Sequence, residues 1–136
     1  VSLPPQPMDS RFTIRRLQDI LARHARQPLK ALLLDQRYFP GIGNWMADEV
    51  LWQAKVHPHT PAGSVDAKAA KVLHRTLRKV CAVALKTVGV DWGDPPRTWL
   101  FRHRWAKGGT CPRCGAPLVR EELRGRTACW CPHCQR

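Results

Sequence analysis

The chain has 136 residues and a formal net charge of +13, with 23 Lys and Arg against 10 Asp and Glu. That length can bury one modest core and a small appendage that needs its own staple. The charge repels itself unless an anion is near, and nucleic acid is the commonest such partner; a basic protein lying on an anionic membrane is the rival reading. No apolar run reaches the ~20 residues needed to span a bilayer. The opening VSLPPQPMDS lacks the charged and apolar regions of a secretory signal. The chain starts at Val1 instead of Met, as expected of a processed or excised piece.

Residues 1–9 carry Pro4, Pro5 and Pro7 and read as an extended linker. Thr13 is placed to cap a helix whose stripe is Ile14, Leu17, Ile20 and Leu21. Arg15, Arg16, Arg23, His24 and Arg26 surround that stripe, and a solvated basic face is their default explanation. Pro28 fits the first turn of a second helix over 28–35, ending near Tyr38-Phe39-Pro40. A helix over 44–55 follows, with Trp45, Met46, Val50, Leu51 and Ala54 as its apolar positions. Asp48 and Glu49 are expected in its first turns, where negative charge suits the helix dipole. Glu49 reads as a structural ion pair or cap before it reads as a catalytic group. His57-Pro58-His59 reads as a stop and a bend, outside any metal site. The longest helix starts at Ser64 or Asp66 and runs to about Val88, with Gly89 ending it. Its buried stripe is Ala69, Val72, Leu73, Leu77, Val80, Ala84 and Val88, and Cys81 joins it as a small core residue. Lys68, Lys71, Arg75, Arg78 and Lys79 keep another face basic. Residues 91–109 form a Gly/Pro-containing connector that Trp99-Leu100-Phe101 should anchor. Within it Arg102, His103, Arg104 and Lys107, interleaved with Trp105, suit a grip on a nucleic-acid backbone or a stack on a base. A basic linker held down by tryptophans is an equally natural reading.

Between the second and third helices stands Gly41-Ile42-Gly43-Asn44. Gly41 and Gly43 permit a tight turn and the close approach of another molecule to the main chain. The amides that open the following helix suit a phosphate, and Asn44 can cap them or donate its own amide to the same anion. An ordinary turn between packed helices is the plain alternative.

Four of the 6 cysteines form two C-x-x-C pairs, Cys111/Cys114 and Cys131/Cys134. Each pair makes a knuckle that offers two thiolates, and two knuckles close a tetrahedral zinc site with no open position. Such a site holds one structural Zn2+ and performs no hydrolysis; a redox dithiol or a disulfide framework is the competing use of the pattern. Gly115 stands where a knuckle needs an unhindered backbone. Cys129 offers a C-x-C pairing with Cys131, but equal spacing favours Cys131/Cys134 and leaves Cys129 in a strand. Leu118, Val119 and Leu123, then Thr127 to Trp130, predict two short strands, with Arg124-Gly125-Arg126 as a basic tip. The predicted fold is mainly α: a helix–two-turn–helix bundle over 10–90, the connector over 91–109, and a β-hairpin zinc finger over 110–136.

The Leu34-Asp35-Gln36 and Gly41-Ile42-Gly43-Asn44 stretches, Ala47-Asp48-Glu49, His57-Pro58, Pro61-Ala62 and the terminal Cys131-Pro132-His133-Cys134-Gln135 occur in one chain and in this order. Over nearly its whole length the chain thereby resembles the C-terminal half of the formamidopyrimidine-DNA glycosylase and endonuclease VIII family. The resemblance implies that Asn44 holds the phosphate beside a damaged nucleotide and that Arg126 contacts phosphates around it. It implies a partner, duplex DNA carrying a damaged base or an abasic site. It also implies a parent enzyme, a base-excision repair glycosylase and abasic-site lyase, in the bacterial cytoplasm or nucleoid. The family's nucleophile is an N-terminal proline followed by glutamate, in a β-rich half absent from this sequence; Pro4 and Pro5 do not match it. The expected activity of these 136 residues alone is DNA binding without cleavage, as a monomer. Gly41, Gly43, Asn44, Arg126, Arg102, Arg104 and Lys107 are the expected DNA contacts. The connector also departs from the family, with Phe101-Arg102-His103-Arg104-Trp105 and Gly108 where many bacterial members carry a longer oxidised-purine loop and a Tyr-Gly-Arg stretch. Two other classes fit parts of the pattern. One is a non-enzymatic zinc-containing nucleic-acid module, a damage sensor or ribosome-associated protein; the other is a zinc-stapled protein-interaction domain.

Overall fold

The computed structural model describes residues 4–87 and 93–136. It has four α-helices, α1 (Ile14–Arg23), α2 (Leu29–Leu33), α3 (Asn44–Ala54) and α4 (Ala67–Lys86), followed by strands β1 (Val119–Leu123) and β2 (Arg126–Trp130). Short 3-10 turns lie at Ala62–Ser64 and Leu100–His103. This is the predicted mainly helical unit with a two-stranded antiparallel hairpin.

The ends of the helices follow local chemistry. The Thr13 side chain accepts from the Arg16 N–H and starts α1, while Asp66 does the same for α4 through the Ala69 N–H. The α2 helix is shorter than expected because Pro28 occupies its cap position. The chain over 57–63 supplies what a side-chain cap would: Leu29 N–H donates to Thr60 O and Lys30 N–H to Pro58 O. There Gly63 is required, since a Cβ would sit 2.5 Å from that of Ala25. Val88 and Gly89, expected at the end of the long helix, lie outside the described residues.

The α3 helix is the central element. Ala47, Asp48, Glu49, Val50, Leu51 and Trp52 are all buried, so its environment is closed on every side instead of along the predicted stripe. Trp45, Met46 and Ala54 are only partly buried. One side of α3 joins the main core with Leu17, Leu29, Leu33, Phe39, Leu73 and Leu77. The other side sends Trp52 into a second cluster with Leu100, Cys111, Cys129 and Cys131.

Asp48 and Glu49 also depart from the dipole role expected of them: no acidic residue lies in the first turn of α3. The Asp48 carboxylate takes Lys30 Nζ at 2.5 Å and Arg104 Nη2 at 2.6 Å, and it accepts the Cys129 N–H at 3.2 Å. Lys30 also donates to Thr127 O. A single carboxylate thus fastens α2, the connector and β2 to α3. Burial pushes the Lys30 ammonium below its ordinary pKa, with Arg104 and Arg126 adding to the shift and Asp48 opposing it. Glu49 accepts the N–H groups of Leu100 and Phe101 at 3.0 and 2.8 Å, capping the second 3-10 turn as the structural role required. Burial pushes its carboxyl above the usual range, although Gln53 and these two amides hold it back.

The segment over residues 4–9 is not an extended linker. Pro5 and Pro7 are buried, and Arg78 Nη1 donates to the carbonyls of Pro7 and Asp9. The β-hairpin turns through Arg124 and Gly125, whose φ values of 50° and 83° are the positive pair that a two-residue turn requires.

Asp48→Ala leaves Lys30 and Arg104 buried without their counter-charge, and urea denaturation should show a loss of about 3–5 kcal/mol. Unchanged stability would mean that the network is solvated in solution.

Candidate nucleic-acid interface and metal centre

The Gly41–Asn44 turn is braced from within. Gln36 accepts the Gly41 N–H at 2.9 Å and donates to Ile42 O at 2.9 Å, while Ile42 itself is buried. Gly41 has a φ of +88°, which favours glycine, and no atom lies within 4 Å of a Cβ built at Gly41 or Gly43. The space in front of this backbone is open. Gly43, not Asn44, occupies the cap position of α3, and no side chain caps the helix. The amides of its first turn therefore lack a side-chain acceptor, the condition in which a helix start binds an anion. Asn44 is the first helical residue, and its Oδ1 is buried without a partner. The capping alternative for Asn44 is excluded by this geometry.

An aromatic series leads from that turn to the connector. Trp45 meets Phe101 edge-on at 4.8 Å, and Phe101 meets Trp105 edge-on at 5.2 Å. Trp105 is 54% exposed. Arg102, Trp105 and Lys107 line a shallow hollow of about 370 Å³. Arg102 and Lys107 are exposed, and Arg102 lies 3.5 Å from Asp94. Arg104 contradicts its expected role as a DNA contact. Its guanidinium is buried against Asp48, with the Trp105 ring 4.7 Å away. It is a brace, because α3 presents a desolvated carboxylate that only a neighbouring cation can satisfy. Arg126 is exposed at the start of β2, paired across the hairpin with Leu123, and close enough to Lys30 to act on its charge.

The two cysteine knuckles converge as their spacing requires. The Sγ atoms of Cys111, Cys114, Cys131 and Cys134 all lie within 4.8 Å of one another. Cys111 and Cys134 are 3.9 Å apart, and Cys114 and Cys131 are 3.5 Å apart. Thiolates about 2.3 Å from a tetrahedral Zn2+ would be separated by about 3.8 Å, so the donor set fits one structural zinc ion. Gly115 has a φ of +78° and donates its N–H to Cys111 O at 2.8 Å. In the second knuckle Gln135 makes the equivalent bond to Cys131 O, and its side chain accepts the Cys131 N–H and donates to Val56 O. Cys129 is buried in β2 and stands apart from the four. Around Cys111, burial opposes ionisation, but N–H groups from Cys114, the Trp52 indole and Arg113 prevail and bring the thiol down to about 6.

The finger is also tied to the helices. The Trp52 Nε1 donates to Cys111 Sγ at 3.3 Å. Arg113 lies 4.0 Å over the Trp52 ring and donates to its carbonyl. His59 Nε2 pairs with Glu121 at 2.5 Å, and His57 packs on Trp130, so both histidines are structural, as their exclusion from the metal site required. Lys30 and Trp52 were not singled out from sequence, and Gln36 figured only as part of the Leu34-Asp35-Gln36 stretch, without its bracing role. Lys30 left a trace, as a lone lysine in the otherwise apolar run Leu29–Leu34.

Comparison with known proteins places these features in a family. The formamidopyrimidine-DNA glycosylase H2TH domain matches residues 3–92, and the zinc finger found in FPG and IleRS matches residues 108–136. The formamidopyrimidine-DNA glycosylase of Roseiflexus sp. is 35% identical over 139 residues, covering 96% of this chain and 50% of the relative. That of Thermus thermophilus is 38% identical over 143 residues, covering 98% and 53%. The crystal structure of the Thermus thermophilus MutM (Fpg) protein superposes with a TM-score of 0.82 at 37% identity, over 98% of this chain and 53% of that one. Lactococcus lactis Fpg bound non-covalently to DNA containing an AP site gives 0.81 at 28% identity, over 98% and 50%. The chain spans about half the length of the curated relatives it matches.

Metal analysis should find one zinc per chain. Cys134→Ser should lose it and Cys129→Ser retain it; the reverse result would establish the C-x-C pairing of Cys129 with Cys131. Chelation should unfold the finger, since a site this small depends on its metal, and tryptophan fluorescence, to which Trp52 and Trp130 contribute, should report the change.

Proposed function

The chain belongs to the formamidopyrimidine-DNA glycosylase family, and from that premise we propose that it is the DNA-binding half of a base-excision repair glycosylase with abasic-site lyase activity. The observation that carries the reading is the open, uncapped start of α3 beside Gly41 and Gly43, mounted on the same helix as the zinc finger. The first-turn amides of α3 and the Asn44 side chain hold one backbone phosphate, and Arg126 holds phosphates from the side of the finger. Residues 10–90 form the helix–two-turn–helix unit, 91–109 the connector and 110–136 the finger. Arg102 and Lys107 contribute charge along the connector, and the exposed Trp105 offers a stacking surface. Gripping the strand from two elements suits a duplex from which the damaged nucleotide has left the stack, as base chemistry requires.

The substrate of the whole enzyme is duplex DNA carrying an oxidised or otherwise damaged base, or an abasic site. Relatives bound to abasic-site DNA and to carbocyclic 8-oxo-G DNA support this reading. The bond-breaking chemistry belongs to the other half of the enzyme, because the family's proline-glutamate nucleophile has no counterpart here: Pro5 is buried, and neither Pro4 nor Pro5 precedes a glutamate. The net charge of +13 disfavours self-association and supports a monomer. Among the described residues no helix is long and apolar enough to cross a membrane. We place the protein with its DNA in the bacterial cytoplasm or nucleoid.

Borohydride treatment of the chain with an abasic duplex should give tight binding without a covalent adduct; an adduct would place a nucleophilic amine within these residues. Asn44→Ala and Arg126→Ala should each weaken abasic-site binding by about 1–3 kcal/mol, the size of a charge-assisted contact. Full affinity in both variants would overturn their assignment.

A further inference from the structure

A hollow of about 300 Å³ lies away from the α3 start, lined by Thr13, Arg15, Arg16, Asp19, Arg23 and Arg37. Arg37 is held by Asp35 at 2.8 Å. Among the described residues, no carboxylate forms an ion pair with Arg15, Arg16 or Arg23, although Asp19 lies in the same wall. The Arg16 Nε is buried and has no hydrogen-bond partner. A solvated basic face explains exposed arginines but not this one, because a buried guanidinium N–H without an acceptor is costly. Three guanidinium groups around one concavity, those of Arg15, Arg16 and Arg23, lack an ion-pair partner among the described residues, and their planar forks match the oxygens of a phosphate.

The hollow reaches the segment between α2 and α3 through Arg37 and Tyr38. Arg37 stands on the same two-turn segment as Gly41, and the intervening Gln36 binds both the Gly41 N–H and the Ile42 carbonyl. We propose that this arginine-lined hollow is a second phosphate site, which receives a backbone phosphate of the same duplex beyond those held by Asn44 and Arg126. The inference rests on the DNA-binding reading above and extends the contact surface along α1. A phosphate contact of this kind fixes register and contributes affinity without reading bases.

The test is duplex binding by the 136-residue chain, followed by fluorescence anisotropy between about 50 and about 200 mM salt. Arg15→Ala combined with Arg16→Ala should make the plot of log affinity against log salt shallower by about 1–2, since each lost phosphate contact removes about 0.9 from the slope. The loss should be equal on abasic and undamaged duplexes. Arg23→Ala, near the end of α1, should give a smaller shift in the same direction and serves if the double variant misfolds. Lys68→Ala combined with Lys71→Ala removes the same charge from α4 and should change the slope less. A slope unchanged from wild type in the arginine variants would overturn the proposal. An equal effect of the lysine pair would also overturn it, showing diffuse charge instead of a site. If the wild-type chain bound no duplex at low salt, the DNA-binding reading would fall first and this inference with it.

Discussion

The Asp48 carboxylate is the constraint on which the rest of the structure depends. It is 1% exposed, and its desolvation is offset because Lys30 and Arg104 both reach it and the Cys129 amide donates to it. Those partners come from α2, the connector and β2. Satisfying one charge therefore fixes how three separate parts of the chain sit on α3. Apolar packing alone would not set this arrangement, since non-directional contacts tolerate sliding. The ion network requires donors at defined places, and it converts a helical unit and a metal-stapled hairpin into one body.

This arrangement explains how a finger with so little apolar surface can present a cationic tip reliably. Its small cluster borrows Trp52 from α3, and the Trp52 indole donates to a zinc ligand while Arg113 covers the opposite face. Hydrogen bonds to metal-bound sulfur orient the ligand as well as the metal does. The helix that opens at the Gly41–Asn44 turn thus also supports the metal centre. Asn44 stands at the start of α3 and Trp52 two turns later, which fixes the distance between the two grips by the rise of a single helix.

Much of the fold was legible because its signals are local. Thr13 and Asp66 cap the helices, the α1 stripe is buried at Leu17, Ile20 and Leu21, and the two C-x-x-C pairs meet. Each of these depends on residues near one another in sequence. The errors lie where partners are distant. Arg104 looked like a DNA contact because its neighbours are basic, and nothing local announced that Asp48 would take it. Asp48 and Glu49 looked like dipole complements because the α3 stripe gave no sign that the helix would be covered on all sides. The linker reading of residues 4–9 failed for the same reason: Arg78, which holds the Pro7 and Asp9 carbonyls, lies far along the chain. Of the turn, Gly41, Gly43 and Asn44 were readable, and Gln36 stood in the Leu34-Asp35-Gln36 stretch, but its brace on Gly41 and Ile42 was not readable, since a side chain that bonds back to the main chain leaves no periodic signal.

The two-residue turn at Arg124-Gly125 also constrains how this finger can vary. Leu123 pairs directly with Arg126, and the register continues to Val119 opposite Trp130. Side chains alternate between faces along a strand, so inserting or deleting one residue in β2 would turn Arg126 inward and carry Cys129 away from Asp48. The hairpin can change length without losing its orientation only in steps of two residues, added to both strands together. A longer arm would carry its cationic tip farther from α3 while the metal knuckles stayed in place. The reach of the cationic tip is thereby a quantity that can be adjusted independently of how the finger is anchored.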